Sequence, residues 1–218
     1  MNRDTRLLVF TKTPVPGTVK TRLIHRLGIQ GATLLHEWLV YHTLERIAGV
    51  VEGPVISPVE LWCAPSSDHP FFGILENRFP LDLKIQEGAN LGERLANAVA
   101  PHIRSGRSVI VIGTDCPGIS PELVQSAVRA LEKNDAVLAP AEDGGYVLFG
   151  LNRFDQSVFR GIAWGTDLVY RKTCERLSAL SWTWETLPTQ RDLDRPEDLE
   201  LLSPEMMGLP GFLTGEAP

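Results

Sequence analysis

Four short segments of this 218-residue chain gather residue types that can handle phosphate, metal ions or protons. The first is Lys12-Thr13-Pro14-Val15-Pro16-Gly17-Thr18-Val19-Lys20-Thr21-Arg22. Its three cations and its glycine suit the wrapping of a polyphosphate: backbone N–H groups near Gly17 approach the ligand while Lys20 and Arg22 neutralise charge. A solvated basic turn is the competing reading. The segment is not a P-loop, because it lacks the earlier glycine of GxxxxGK[ST]. The second segment, Gly113-Thr114-Asp115-Cys116-Pro117, offers a carboxylate that can hold Mg²⁺ or Mn²⁺ against phosphate oxygens, or that simply bonds its own turn. The third, Pro140-Ala141-Glu142-Asp143-Gly144-Gly145-Tyr146, has the residues of a hairpin turn. In its functional reading the glycines admit an acceptor whose hydroxyl Asp143 orients. In the fourth, Asp192-Leu193-Asp194-Arg195-Pro196, the aspartates alternate, so in extended chain both face one side and one can join Asp115 at a metal. Asp194 can equally cap a helix beginning near Pro196.

The elements that must position these segments read as alternating strands and helices. Leu7–Phe10, Val59–Cys63, Leu83–Gln86, Ser108–Gly113, Ala136–Ala139 and Tyr146–Phe149 read as strands, and Trp182–Leu187 as extended chain. Ser108–Gly113 is almost wholly apolar and β-branched, as a strand covered on both faces should be. Helices are expected over Ala32–Ile47, Pro70–Phe79, Leu91–Ile103, Leu123–Leu131, Asp167–Leu177 and Arg195–Leu201, with Ser120 as a cap and Pro121 at the first helical position. This alternation implies βαβ units and a mainly parallel sheet. Ligands of such sheets lie beyond the carboxyl ends of the strands, where the segments above fall.

The formal net charge of −6 gives no sign of a nucleic-acid-coating surface. Cys63, Cys116 and Cys174 are odd in number and share no metal or redox spacing, which points to reduced thiols and a cytoplasmic protein. Cys116 reads as a packing residue. The five histidines make no metal motif and read as surface or packing residues. The apolar run Leu7–Thr11 is too short for a signal-peptide core or a membrane span. One domain is expected over residues 1–202, followed by a loosely held Pro/Gly-rich tail over 203–218.

The order of the motifs adds to this. Phe10–Leu23, Gly88-Ala89-Asn90-Leu91-Gly92-Glu93-Arg94, Ile112–Pro117, Ala139–Tyr146, Trp164-Gly165-Thr166 and Asp192–Leu199 together resemble the radical-SAM- and selenodomain-associated transferases, a glycosyltransferase-like group. The resemblance runs from about residue 7 to about residue 200. Gly165 and Arg195 depart from that group's Trp-Ser-Thr and Asp-x-Asp-Thr-Pro patterns. A more distant similarity reaches 2-phospho-lactate guanylyltransferase and the molybdenum-cofactor guanylyltransferases. The resemblance implies a GT-A-type, Rossmann-like three-layer α/β sandwich of the nucleotide-diphospho-sugar transferase superfamily. It implies phosphate binding by Lys12, Gly17, Lys20 and Arg22, and Mg²⁺ or Mn²⁺ on Asp115 with Asp194 or Asp192. It places Asp143, Gly144, Gly145, Trp164 and Thr166 on the acceptor side, with Lys20, Asp115 and Asp143 as the catalytic set.

Two reactions suit such a site: glycosyl transfer from a nucleotide-sugar to an acceptor hydroxyl, with Asp143 as base, and nucleotidyl transfer to a phosphorylated small molecule. A non-catalytic nucleotide-binding module is the third reading. Many sugar transferases of this fold carry Asp-x-Asp where this chain has Asp115-Cys116-Pro117, which keeps nucleotidyl transfer open. The implied partners are a nucleotide or nucleotide-sugar and a small-molecule acceptor, without nucleic acid or a membrane span. The sequence carries no clear oligomerisation signal.

Overall fold

A computed structural model of the protein describes residues 4–49 and 58–202. The tail expected over 203–218 lies outside them. Among the described residues seven strands form one sheet: β1 (Thr5–Lys12), β2 (Val59–Ala64), β3 (Leu81–Ile85), β4 (Ser108–Gly113), β5 (Ala136–Pro140), β6 (Tyr146–Leu151) and β7 (Trp184–Thr186). Their order is β3-β2-β1-β4-β6-β5-β7. All pairings are parallel except those of β6, which runs antiparallel to both β4 and β5. β5 and β6 are joined by the Asp143-Gly144-Gly145 turn, as the turn chemistry predicts.

Strand alternation sorts the apolar side chains into two cores. Leu7, Val9, Ile110 and Ile112 pack with helices α1 (Ile24–Ala48), α2 (Pro70–Arg78) and α4 (Pro121–Leu131). Leu8, Phe10, Val109 and Val111 pack on the other face with α3 (Leu91–Arg104) and α5 (Val169–Ala179). This is the three-layer sandwich expected from the alternating pattern. Among the described residues no helix is long and apolar enough to cross a membrane.

Several ends are set by local chemistry. Ser120 Oγ accepts the Leu123 N–H at 3.2 Å, with Pro121 opening α4. His69 Nδ1 accepts from Phe71 N at the start of α2. α1 begins earlier than its apolar periodicity predicts, but Gly28 breaks it at φ 72°, ψ 170°. The sequence stripe therefore marked only the continuous part of the helix. α5 starts at Val169; Thr166 Oγ1 accepts Leu168 N–H at 3.4 Å, a turn just ahead of the helix. The last predicted helix is a 3₁₀ segment, Pro196–Leu201, with Arg195 at its cap position and Asp198 in its first turn, whose carboxylate accepts the Arg195 and Asp194 N–H groups. Asp194 is thereby left free of capping.

Candidate active site

The carboxyl ends of β1, β2 and β4 open into a cavity of about 410 Å³. Lys12, Lys20, Asp115, Asp192 and Asp194 line it, with His36, Gln86 and Arg94. A second cavity of about 210 Å³ adjoins it through the shared walls of Phe10, Leu91, Tyr146 and Asp192. Asp143, Gly145, Trp164, Gly165 and Thr166 line this smaller lobe. The loops singled out by type and spacing thus converge on one edge of the sheet.

Asp115 follows β4 directly, and its loop is fastened to the late acidic segment by Leu193 N–H to Asp115 O at 2.8 Å. That bond fixes Leu193 beside Asp115, and Asp192 and Asp194 follow into the cavity wall. The buried Lys20 ammonium lies 2.5 Å from Asp115 Oδ1 and 2.6 Å from Leu193 O. Its backbone is left-handed at φ 45°, a conformation costing about 1 kcal/mol for a residue with a Cβ. The two ammonium contacts offset that cost. Burial pushes the Asp115 carboxyl upward, but Lys20, His36 and Lys12 outweigh it and hold the group below its usual value. Protein surrounds Asp115 closely, yet 54% of its side-chain surface still opens to the cleft.

Asp192 shows the opposite balance. Burial, reinforced by the charges of Asp115, Asp143 and Asp194, pushes it up to about 7. Such crowding of carboxylates suits a divalent cation, since Mg²⁺ is commonly held by one or two carboxylates together with substrate phosphates. Among the described residues no three acidic, histidine or cysteine side chains form a complete protein cage.

A stability prediction follows from Asp192. Its folded pKa is raised, so its favourable contribution is complete below about pH 4 and lost as pH rises through about 7. In divalent-free buffer Asp192→Asn should therefore gain on the wild type between those values and remain about 2 kcal/mol more stable at pH 8, solvent on the half-buried carboxyl reducing the full effect. Melting curves at pH 4 and 8 check this; equal stability at pH 8 would contradict the crowding.

The other expected residues divide. Lys12 lines the main cavity and Arg22 does not; Arg22 pairs with Asp194 at 2.5 Å, both well exposed. Gly17, at φ 81°, has open space where a Cβ would stand and lies outside both linings, so its glycine serves the turn. Asp143 is exposed; its Oδ1 accepts Gly145 N–H at 2.8 Å, making the turn bond, while the residue also lines the small lobe. Gly144 packs against the Asp167 backbone and is a structural glycine. Trp164 meets the Tyr146 ring edge-on at 6.4 Å, and its indole abuts Gly92 so closely that a Cβ there would collide with it. Burial raises the Cys116 thiol to about 11, in keeping with a packing role.

Three cavity residues were given no site role from the sequence; only Arg94 lies in a motif that carries the resemblance. His36 sits buried on α1 and donates Nε2–H to Lys12 O at 2.9 Å. Burial lowers its pKa, which keeps the ring neutral near pH 7. Gln86 directly follows β3, and the strand-end rule alone marks it. Arg94, one turn into α3, donates Nε–H to Gly88 O at 3.1 Å.

Sheet order, strand-end loops and paired cavities define a nucleotide-diphospho-sugar transferase fold. Residues 50–166 match the family described as "Uncharacterized protein conserved in bacteria (DUF2064)", more than half of the chain. The chain belongs to that family. A crystal structure of a protein from Desulfovibrio desulfuricans G20, provisionally described as a nucleotide-diphospho-sugar transferase, is similar at 30% identity and TM-score 0.81, covering 96% of this chain and 90% of that one. The 4-diphosphocytidyl-2C-methyl-D-erythritol synthase of Anaerococcus prevotii DSM 20548 shares the fold at 12% identity and TM-score 0.60, covering 92% and 97%. A cytidylyltransferase of Leptospira borgpetersenii serovar Hardjo-bovis does so at 13% and 0.54, covering 92% and 85%. No curated protein matches the sequence.

Proposed function

We propose that the protein is a glycosyltransferase-like enzyme that binds a nucleotide-sugar in the larger cavity and a small neutral acceptor in the smaller one. The observation that carries this choice is the lining of the acceptor lobe. Among the described residues it holds Asp143 and Asp192 but no lysine or arginine. A phosphorylated acceptor would meet uncompensated negative charge there, whereas a hydroxyl finds carboxylates and the indole of Trp164.

In this reading Asp115, with Asp192 or Asp194, would hold Mg²⁺ or Mn²⁺, which when bound would stabilise charge on the departing diphosphate. Lys12 and Lys20 bind its phosphoryl oxygens, and Arg94 adds a third cation to the same cavity. Asp143 accepts the proton of the attacking hydroxyl through the carboxylate oxygen not held by Gly145. Trp164, braced by Tyr146 and Gly92, walls the acceptor lobe. Nucleotidyl transfer is the second reading, favoured by the cations Lys12 and Lys20 close to the diphosphate position and opposed by the acidic acceptor lobe.

The test is a thermal-shift panel of nucleoside diphosphates, triphosphates and nucleotide-sugars with and without Mg²⁺ or Mn²⁺. A ligand at about 100 times its dissociation constant stabilises by about 2.7 kcal/mol. The expected result is a metal-dependent shift with diphosphates and nucleotide-sugars that Asp115→Asn abolishes. A cooperative melt unmoved by every nucleotide would overturn the proposal, and a preference for triphosphates would transfer it to nucleotidyl transfer.

A further inference from the structure

Gln86 spans the carboxyl ends of two strands. Its Nε2 donates to Thr11 O on β1 at 3.0 Å and to Trp62 O on β2 at 2.8 Å. Two carbonyl oxygens can be met only by the amide nitrogen, so the network fixes which way the carboxamide points. Its Oε1 has no donor among the described residues and is not sealed from solvent. It is an open acceptor on a side chain that lines the cavity.

Two neighbouring backbone acceptors each already receive a donor. Lys12 O receives His36 Nε2–H, and Ala64 O receives Thr13 N–H at 2.7 Å. The remaining charged side chains toward this end, Lys12 and Arg94, can only donate. Position along the sheet gives the order of ligand parts. Gln86 lies over β1 and β2, Asp115 follows β4 on the other side of β1, and the acceptor lobe lies beyond, by β6 and α5. About one and a half strand spacings, about 7 Å, separate the amide from the strand that carries Asp115. With diphosphate at Asp115 and Lys20, the base falls to Gln86.

We infer that Gln86 reads the nucleobase through a single N–H and that the site takes a uracil-type base, uracil or its 5-methyl form thymine, which share this edge. Uracil presents one N–H flanked on both sides by carbonyl oxygens, which matches one acceptor among donors. Guanine presents two adjacent N–H groups and would leave one unpaired. Cytosine and adenine present an amino group beside a ring nitrogen and lack the flanking pair of carbonyls. A buried group left without a partner is what gives such sites their discrimination. This inference rests on the nucleotide reading of the cavity.

The experiment is calorimetric binding of UDP, CDP, GDP, ADP, 3-methyluridine diphosphate and inorganic pyrophosphate to the full chain with Mg²⁺. UDP is expected to bind at least tenfold tighter than CDP, GDP or ADP. Methylation of the uracil N–H should remove about tenfold, and so should Gln86→Leu, which leaves pyrophosphate affinity within about threefold. Tighter binding of another base, or 3-methyluridine diphosphate binding as well as UDP, overturns the assignment even if Gln86→Leu fails to fold. Absence of binding by pyrophosphate and by every diphosphate sinks the nucleotide reading itself, and this inference with it.

Discussion

Lys20→Met should weaken nucleoside diphosphate binding about 100-fold, equivalent to about 2.7 kcal/mol, and should lower the melting temperature of the ligand-free protein as well. Both effects come from one ammonium group. It lies between Asp115 and Leu193 O, with 3% of its side chain exposed. Without it, Leu193 O loses its donor and Asp115 faces the Asp192 carboxylate with Lys12 as its remaining cation. Breaking a buried pair outright costs about 3–5 kcal/mol; the open side of Asp115 brings the expectation down to about 2 kcal/mol. The stability loss should shrink as Mn²⁺ is added, because a cation among the carboxylates replaces the missing charge. Calorimetric binding and melts across a Mn²⁺ series measure the two effects separately. Unchanged diphosphate affinity would remove Lys20 from the binding machinery. An Mn²⁺-independent stability loss would count against a cation at Asp115.

What the sequence showed depended on how local the cause was. β4 could be read to the residue because Ser108–Gly113 is a continuous buried run, and the cap at Ser120 because its bond spans three residues. Asp115 followed from its place after that strand. The Asp143 turn was visible as turn chemistry, and the structure shows the turn bond and a cavity position together. Contacts between distant segments were not legible. Nothing near Lys20 or Arg22 announces that their partners are Asp115 and Asp194, since each pair joins segments far apart in the chain. His36 read as a surface or packing residue because it joins no metal motif, and only the tertiary fold turns it toward Lys12. Gln86 and Arg94 sat inside segments already noted, one at a strand end and one in a quoted motif. Searching every strand end for polar groups, and not for carboxylates and cations alone, would have found Gln86.

Gly144→Ala should be the most damaging small substitution, about 3–4 kcal/mol, where Gly17→Ala should cost only about 1 kcal/mol. Both glycines have positive φ, 88° and 81°, so both alanines carry the left-handed backbone cost. Their surroundings differ. At Gly17 nothing lies within 4 Å of the added carbon. At Gly144 the carbon would stand 2.5 Å from Asp167 Cα and closer still to its carbonyl oxygen. Those are backbone atoms ahead of α5, tied to the turn by Tyr170 N–H to Gly144 O at 2.9 Å, so no side chain can swing aside. The β5–β6 turn must separate from the start of α5, and with it Asp143 and Gly145 from Thr166 and Val169, the opposing walls of the acceptor lobe. At about 2–4 °C per kcal/mol for a domain of this size, Gly144→Ala should melt roughly 10 °C early and Gly17→Ala roughly 3 °C early. Below its melting point Gly144→Ala should still bind nucleoside diphosphate, because the larger cavity does not include that turn, while losing transfer to the acceptor. Equal losses of stability in the two variants would show that backbone conformation, and not the packing of the turn against α5, reserves position 144 for glycine.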